Sequence, residues 1–141
     1  MLTIDRTAAA DVPAASPGRC LARLQDAQRY PEWSSLIKSA EPIEAGRVRL
    51  RAELLGVSFE MDCELETDGA TRAVLRRVPN DLDDEERFEA AWTVTRAGRR
   101  GAHVELHVRA LLDAPGPARL IRGRVERRLT DELLADFTRS A

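Results

Sequence analysis

From Val48 to Ala110 the chain alternates apolar and polar residues with period two, run after run, and each run ends on a turn signal. An antiparallel sheet with one buried and one solvated face satisfies that pattern, whereas a helix of period 3.6 would scatter the same residues around its circumference. Val48, Leu50, Ala52 and Leu54 face one way against Arg47, Arg49, Arg51 and Glu53. Val57, Phe59, Met61, Cys63 and Leu65 then oppose Ser58, Glu60, Asp62 and Glu64. Leu55-Gly56 between these runs reads as a hairpin turn, as does Glu44-Ala45-Gly46 before them. Asp68-Gly69 turns into a strand from Arg72 to Val78. After Pro79-Asn80 and an acidic loop to Glu86, Phe88, Ala90, Trp92 and Val94 begin another. Arg99-Arg100-Gly101 closes the next hairpin, and Ala102, Val104, Leu106, Val108 and Ala110 alternate with His103, Glu105, His107 and Arg109 in the last strand.

The flanks complete the architecture. Leu2, Ile4, Ala8 and Ala10 give a weaker alternation ending at Asp11-Val12-Pro13, which predicts a first strand. Ser16-Pro17 then supplies a helix cap followed by proline at the first helical position, and Cys20, Leu21, Leu24 and Ala27 keep one apolar face until Tyr30-Pro31 stops a helix of about three turns. Beyond Pro115-Gly116-Pro117 the period changes. Ile121, Val125, Leu129, Leu133 and Phe137 recur at i+4, with Leu120 and Leu134 widening the stripe, which predicts a continuous helix of roughly 20 residues and about 30 Å. The expected fold is α+β, an antiparallel sheet of about seven strands wrapped around a long C-terminal helix, in one domain over residues 1–141.

Length and charge narrow the function. A chain of 141 residues can bury one sizeable core without a metal or disulfide staple. Its net charge of −2 is too balanced for a surface that tracks nucleic-acid phosphates. Cys20 and Cys63 have no second Cys or His at metal-ligand spacing, so neither a metal site nor a disulfide is expected, and a reducing cytoplasm is the simplest setting. No run approaches the ~18 apolar residues of a membrane span, which argues against stable membrane insertion. Lys38 is the single lysine among 22 basic residues, a skew that fits a GC-rich bacterial source.

Several charged features have plain readings. His103 and His107 lie four residues apart on the wet face, about 13 Å by strand rise, too far to share a metal. Asp81, Asp83, Asp84, Glu85 and Glu86 lack calcium-loop spacing and read as a solvated loop. Arg119, Arg122, Arg124, Arg127 and Arg128 interleave with Glu126, Asp131 and Glu132 at helical pairing distance. No nucleophile–base pair, phosphate loop or metal cluster is evident in the sequence.

The element order, together with Asp26-Ala27-Gln28-Arg29-Tyr30-Pro31-Glu32-Trp33 after the first helix and with Arg77-Val78-Pro79 and Ala91-Trp92-Thr93, resembles the helix-grip superfamily. That superfamily includes START domains, the birch-pollen-allergen fold and bacterial polyketide cyclase/dehydrase and lipid-transport proteins. The resemblance spans nearly the whole chain and implies a cavity between sheet and C-terminal helix that takes lipids, polyketides or other apolar molecules. Aromatase/cyclase members resemble one another in presenting an inward arginine to the polyketide, and here Leu65 falls about where it would lie. The remaining polar candidates for catalysis are Tyr30 and whichever of Arg76 and Arg77 the register turns inward.

The leading expectation is therefore binding or transport of a small apolar or amphipathic molecule, without a cofactor, in a pocket walled by Trp33, Leu50, Leu54, Phe59, Met61, Leu65, Trp92, Leu106, Val125 and Leu129. A polyketide aromatase/cyclase or dehydrase is the alternative, and a protein-partner module with a packed interior is the second. A homodimer is compatible with all three.

Overall fold

The computed structural model describes residues 2–44, 46–113 and 122–141, so the Pro115-Gly116-Pro117 break, Arg119, Leu120, Ile121 and Ala45 lie outside the described residues. The chain runs from β1 (Leu2–Val12) through α1 (Pro17–Leu24), a 3-10 turn (Ala27–Arg29) and α2 (Tyr30–Trp33) into β2 (Ile37–Pro42). Four hairpin-linked or loop-linked strands and a fifth complete the sheet: β3 (Arg47–Leu54), β4 (Val57–Asp68), β5 (Arg72–Arg77), β6 (Arg87–Ala97) and β7 (Gly101–Leu112). The C-terminal segment is α3 (Arg122–Arg127), a π-helical turn (Arg128–Glu132) and α4 (Leu133–Ser140).

All seven strands form one antiparallel sheet in the order β1-β7-β6-β5-β4-β3-β2, so the first strand pairs with the last and forms one edge. The alternation dictates which face is concave. Along β7, Ala102, Val104, Leu106 and Val108 are each fully buried, while the alternating Glu105 and Arg109 are exposed. Directly paired residues share a face, so Trp92 lies beside Leu106 on one side and Ala73 on the other, where the small alanine leaves room for the indole. The wet face carries ion pairs such as Arg49–Asp62 at 2.9 Å, which holds the Asp62 carboxyl below its usual range.

One expectation about the helices is corrected. Tyr30-Pro31 does not stop the first helix: α1 already ends at Leu24, and Pro31 sits in the first turn of α2, where its missing N–H has no helical partner to lose. The long C-terminal helix is present over its described residues as expected, with a π-helical turn in its middle that carries the buried Thr130. Arg6 of β1 grips that turn through a bidentate pair to Asp131, at 2.9 and 2.8 Å. Arg122–Glu126 and Arg128–Glu132 make the anticipated i,i+4 pairs. Further along, Asp136 is buried. Burial alone would raise its carboxyl pKa, but the Ser35 N–H and hydroxyl, donating at 2.8 and 2.7 Å, together with Arg139, outweigh burial and hold it below the usual range. This contact ties α4 to the start of β2.

Candidate functional site

The helical segment packs on β1 and β7, at one side of the concave face. Toward β3 and β4 the sheet's apolar face is less covered, and there a cavity of about 60 Å³ remains. Its wall takes Leu50, Ala52 and Leu54 from β3, Phe59 and Met61 from β4, Leu75 from β5, Phe88, Ala90 and Trp92 from β6, and Leu129 and Leu133 from the C-terminal segment. Tyr30, Leu36, Ile37, Glu53 and Leu112 complete it. Phe59, Met61 and Leu129 are only half-buried, which puts the thinnest part of the wall where β4 approaches the π-helical turn.

Of the residues expected to wall a pocket, Leu50, Leu54, Phe59, Met61, Trp92 and Leu129 are brought together around this cavity. The other four are elsewhere. Leu106 and Val125 are packed in the core away from it, and Leu65 borders a shallow surface groove between the first helix and the β2–β3 hairpin. Trp33 packs edge-on against Phe137 at 5.2 Å and near Tyr30 at 5.0 Å, on the far side of Trp92. Leu36, Ile37, Leu75, Phe88, Leu112 and Leu133 border the cavity without having been singled out. The alternation of Phe88, Ala90 and Trp92 and the i+4 stripe already turned Phe88 and Leu133 inward, but periodicity does not distinguish a wall position from a packed one.

The three polar candidates are all engaged. Arg76 is on the wet face, between Glu66 at 3.1 Å and Glu89 at 3.4 Å. Arg77 shares the concave-face register of Leu75 and pairs with Cys63, which settles which of the two arginines is inward. Its guanidinium, however, lies 2.7 Å from the Asp84 carboxylate and donates to the Glu86 carbonyl oxygen at 3.0 Å. That arginine, with the N–H groups of Asn80 and Glu86, holds the Asp84 carboxyl down at about 2. Asp84 is thus not a solvated loop acid, as its neighbours suggested, but a nearly buried latch that folds the 78–86 loop back on β5. The sequence carried no signal for this, because one acid among five looks like the others.

Tyr30 is buried and donates its hydroxyl hydrogen to the Leu24 carbonyl oxygen at 2.5 Å, and desolvation pushes its pKa well above the ordinary range. Cys63 is likewise buried, its thiol pushed up to about 12 by desolvation, which makes it a packed core atom rather than a nucleophile. The arrangement can enclose apolar surface. Apart from the exposed Glu53, it presents no free cation or ionisable group to reacting atoms among the described residues.

The polyketide cyclase/dehydrase and lipid-transport family model matches residues 13–138 of the chain. No curated protein sequence matches it significantly. Among solved structures, a protein from Thermus thermophilus superposes with a TM-score of 0.76 at 23% identity, covering 96% of this chain and 94% of that one. A START superfamily protein from Mycobacterium smegmatis gives 0.70 at 16% identity over 96% and 94%. An aromatase/cyclase from a Streptomyces species gives 0.62 at 17% identity over 97% and 86%. At these identities the likeness is one of fold.

Proposed function

Because this chain belongs to the polyketide cyclase/dehydrase and lipid-transport family, we propose that it binds a small apolar or amphipathic molecule between the β3–β4 side of its sheet and the C-terminal segment, and does no chemistry on it. The observation that carries this reading is the combination of an almost wholly apolar cavity wall with an inward arginine, Arg77, already neutralised by Asp84. Enolate chemistry needs donors aimed at the oxygen where charge develops, and losing one such donor typically costs ~10²–10³ in rate. Here Arg76, Arg77 and Tyr30 each spend their donors on protein groups.

At about 60 Å³ the cavity is well below the ~300 Å³ of an ordinary ligand site. A ligand of drug size therefore enters only if the half-buried wall of Phe59, Met61 and Leu129 swings outward. The same small volume favours a second reading, a protein-partner module whose interior is packed.

A titration separates the readings. The polyaromatic probe 1-aminoanthracene, added to the native protein, is expected to bind saturably and quench tryptophan emission, because Trp92 borders the cavity. Binding only after denaturation leaves the packed-interior reading standing. Poly-β-keto mimics are expected to bind without cyclising above background. A rate enhancement abolished by Arg77→Ala, with probe binding intact, would establish the cyclase alternative instead.

A further inference from the structure

Strand β4 is paired on both of its sides over only part of its length. Against β3 it is in register from Val57 to Glu64, whereas against β5 the pairing begins at Cys63. Leu54 and Val57 bracket the Leu55-Gly56 turn and exchange both of their backbone hydrogen bonds, so by alternation Phe59 and Met61 also bond β3, while the N–H and C=O groups of Ser58 and Glu60 point the other way in the plane of the sheet. No backbone group meets them there among the described residues. The last rung before them is the Val78 N–H donating to the Asp62 carbonyl oxygen at 2.7 Å, and a chain continued in that register would set Asn80 opposite Glu60 and Leu82 opposite Ser58. It does neither. The Asn80 N–H donates instead to the Asp84 carboxylate at 2.8 Å and Leu82 is fully exposed, with the Arg77–Asp84 pair holding the loop on this course.

An open run of strand edge suits one kind of partner, another strand, because its N–H and C=O groups recur at the spacing of an extended backbone. We propose that the Ser58–Glu60 edge of β4 is a docking site for an extended basic peptide segment of a partner protein, which adds a strand to the sheet where the 78–86 loop has left it. The charge follows from the margins: Glu53 and Glu60 on one side and Asp81, Asp83 and Glu85 on the other are exposed, beside Arg51 across the ladder from Glu60 and Arg87, whose guanidinium is held by the Asp84 and Glu86 carbonyl oxygens. With Arg49 matched by Asp62 and Arg77 by Asp84, these five acids face two arginines. The same margins disfavour a second copy of this chain, since antiparallel pairing of the edge with itself sets acid against acid. A strand added here turns every second side chain to the inward face shared with Phe59 and Met61, where apolar residues fit, and the others to the face of Glu60, where lysine or arginine fits. The site does not depend on whether the cavity holds a small molecule.

The test uses the peptide Lys-Val-Lys-Val-Lys-Val-Lys, capped at both ends, and its counterpart with glutamate for lysine. Hydrogen exchange of the protein followed in ¹H–¹⁵N spectra is expected to show the Ser58 and Glu60 amides open to solvent in the free protein and slowed about tenfold or more by the lysine peptide, with the glutamate peptide binding about tenfold more weakly. In the added strand the residues opposite Ser58 and Glu60 are lysines, and these bond the edge. N-methylation of the lysines should therefore cost about tenfold or more in affinity, and N-methylation of the valines should leave it within about threefold. Glu60→Pro removes an N–H that no bond within the described residues uses, at a position where an edge tolerates proline, and should weaken the lysine peptide about tenfold. Should that variant fail to fold, the two methylated peptides make the same test from the partner's side.

Failure of the lysine peptide to bind, or equal binding of the glutamate peptide, would overturn the proposal. Equal binding of the two methylated forms would mean attraction between charges without strand pairing, and would overturn it as well. Ser58 and Glu60 amides already protected in the free protein would show an edge covered by the chain itself, or by a second copy if the protection grows with protein concentration. Either result would overturn the basic partner.

Discussion

Strands β4 and β7 are equal in length and alternate with equal regularity, yet they end in different environments. On β7 the inward Val104, Leu106 and Val108 have no exposed surface, because α1 and the π-helical turn pack on that strand while α3 and α4 pack on its neighbour β1. On β4 the inward Phe59 and Met61 stay half-buried against the cavity, and only Cys63, nearer the Arg77 end, is fully enclosed. The alternation is a statement about which way a side chain points. How completely it is covered depends on where the C-terminal segment lies, a non-local fact with no period of its own. A family built on a sheet gripping a helix can therefore keep one side as core and leave the other adjustable.

The largest effect expected from this contrast is a difference between two truncations. Leu106→Ala should cost about 3 kcal/mol, as the removed methyl groups leave a void in a closely packed region that cannot relax. Met61→Ala, at a wall already next to free space, should cost no more than about 1 kcal/mol. Urea unfolding of both variants measures the gap. Equal losses would mean that the two strands are equally packed and that the cavity is closed in solution.

The sequence made the sheet legible almost completely, since turn dipeptides and period-two runs are local. Leu55-Gly56 illustrates it: both residues take positive φ, at 51° and 80°, as a two-residue hairpin loop requires. It was less informative where one contact between distant segments decides a residue's role. Asp84 became a latch because Arg77 reaches it, Asp136 turned inward because Ser35 meets it, and the π-helical turn is gripped by Arg6. The cavity belongs to the same class. Leu65 and Leu106 have the inward parity of Met61 and Trp92, but one sits at a surface groove and the other in packed core.

A second effect should come from alkali, through the enclosed end of β4 and the aromatic group beside the cavity. The Cys63 thiol rises from an ordinary 9.0 to about 12, and burial raises the Tyr30 phenol above its ordinary 10.0. Both groups are neutral when protonated, so folding favours the proton. Their contribution is fully present below pH 9 and falls as pH climbs from there toward the folded values. Each group should remove about 1.4 kcal/mol per pH unit once its unfolded-state value is passed. Cys63→Ala should flatten the decline between pH 9 and 10, where the tyrosine does not yet contribute. An unchanged slope would mean that solvent already reaches that end of β4.

The smallest expected effect is also the most direct probe of the difference between the two sides. Ala52 borders the cavity and pairs across the sheet with Phe59, whereas Ala102 is fully buried on β7. Adding two methyl groups at each position applies the same chemistry to free space and to close packing. Filling a 60 Å³ cavity completely would contribute about 1.4 kcal/mol at roughly 24 cal/mol per Å³, so a partial fill by Ala52→Val, helped by a β-branched residue beside an aromatic, should raise stability by about 0.5–1 kcal/mol. Ala102→Val has no space to enter and should lower stability by about 1–3 kcal/mol. Ala52→Val should also weaken probe binding, since the added methyl groups and the probe compete for one volume. If instead Ala52→Val destabilises as much as Ala102→Val while the probe still binds, the cavity is not where the ligand goes, and the exposed groove beside Leu65 becomes the place to look.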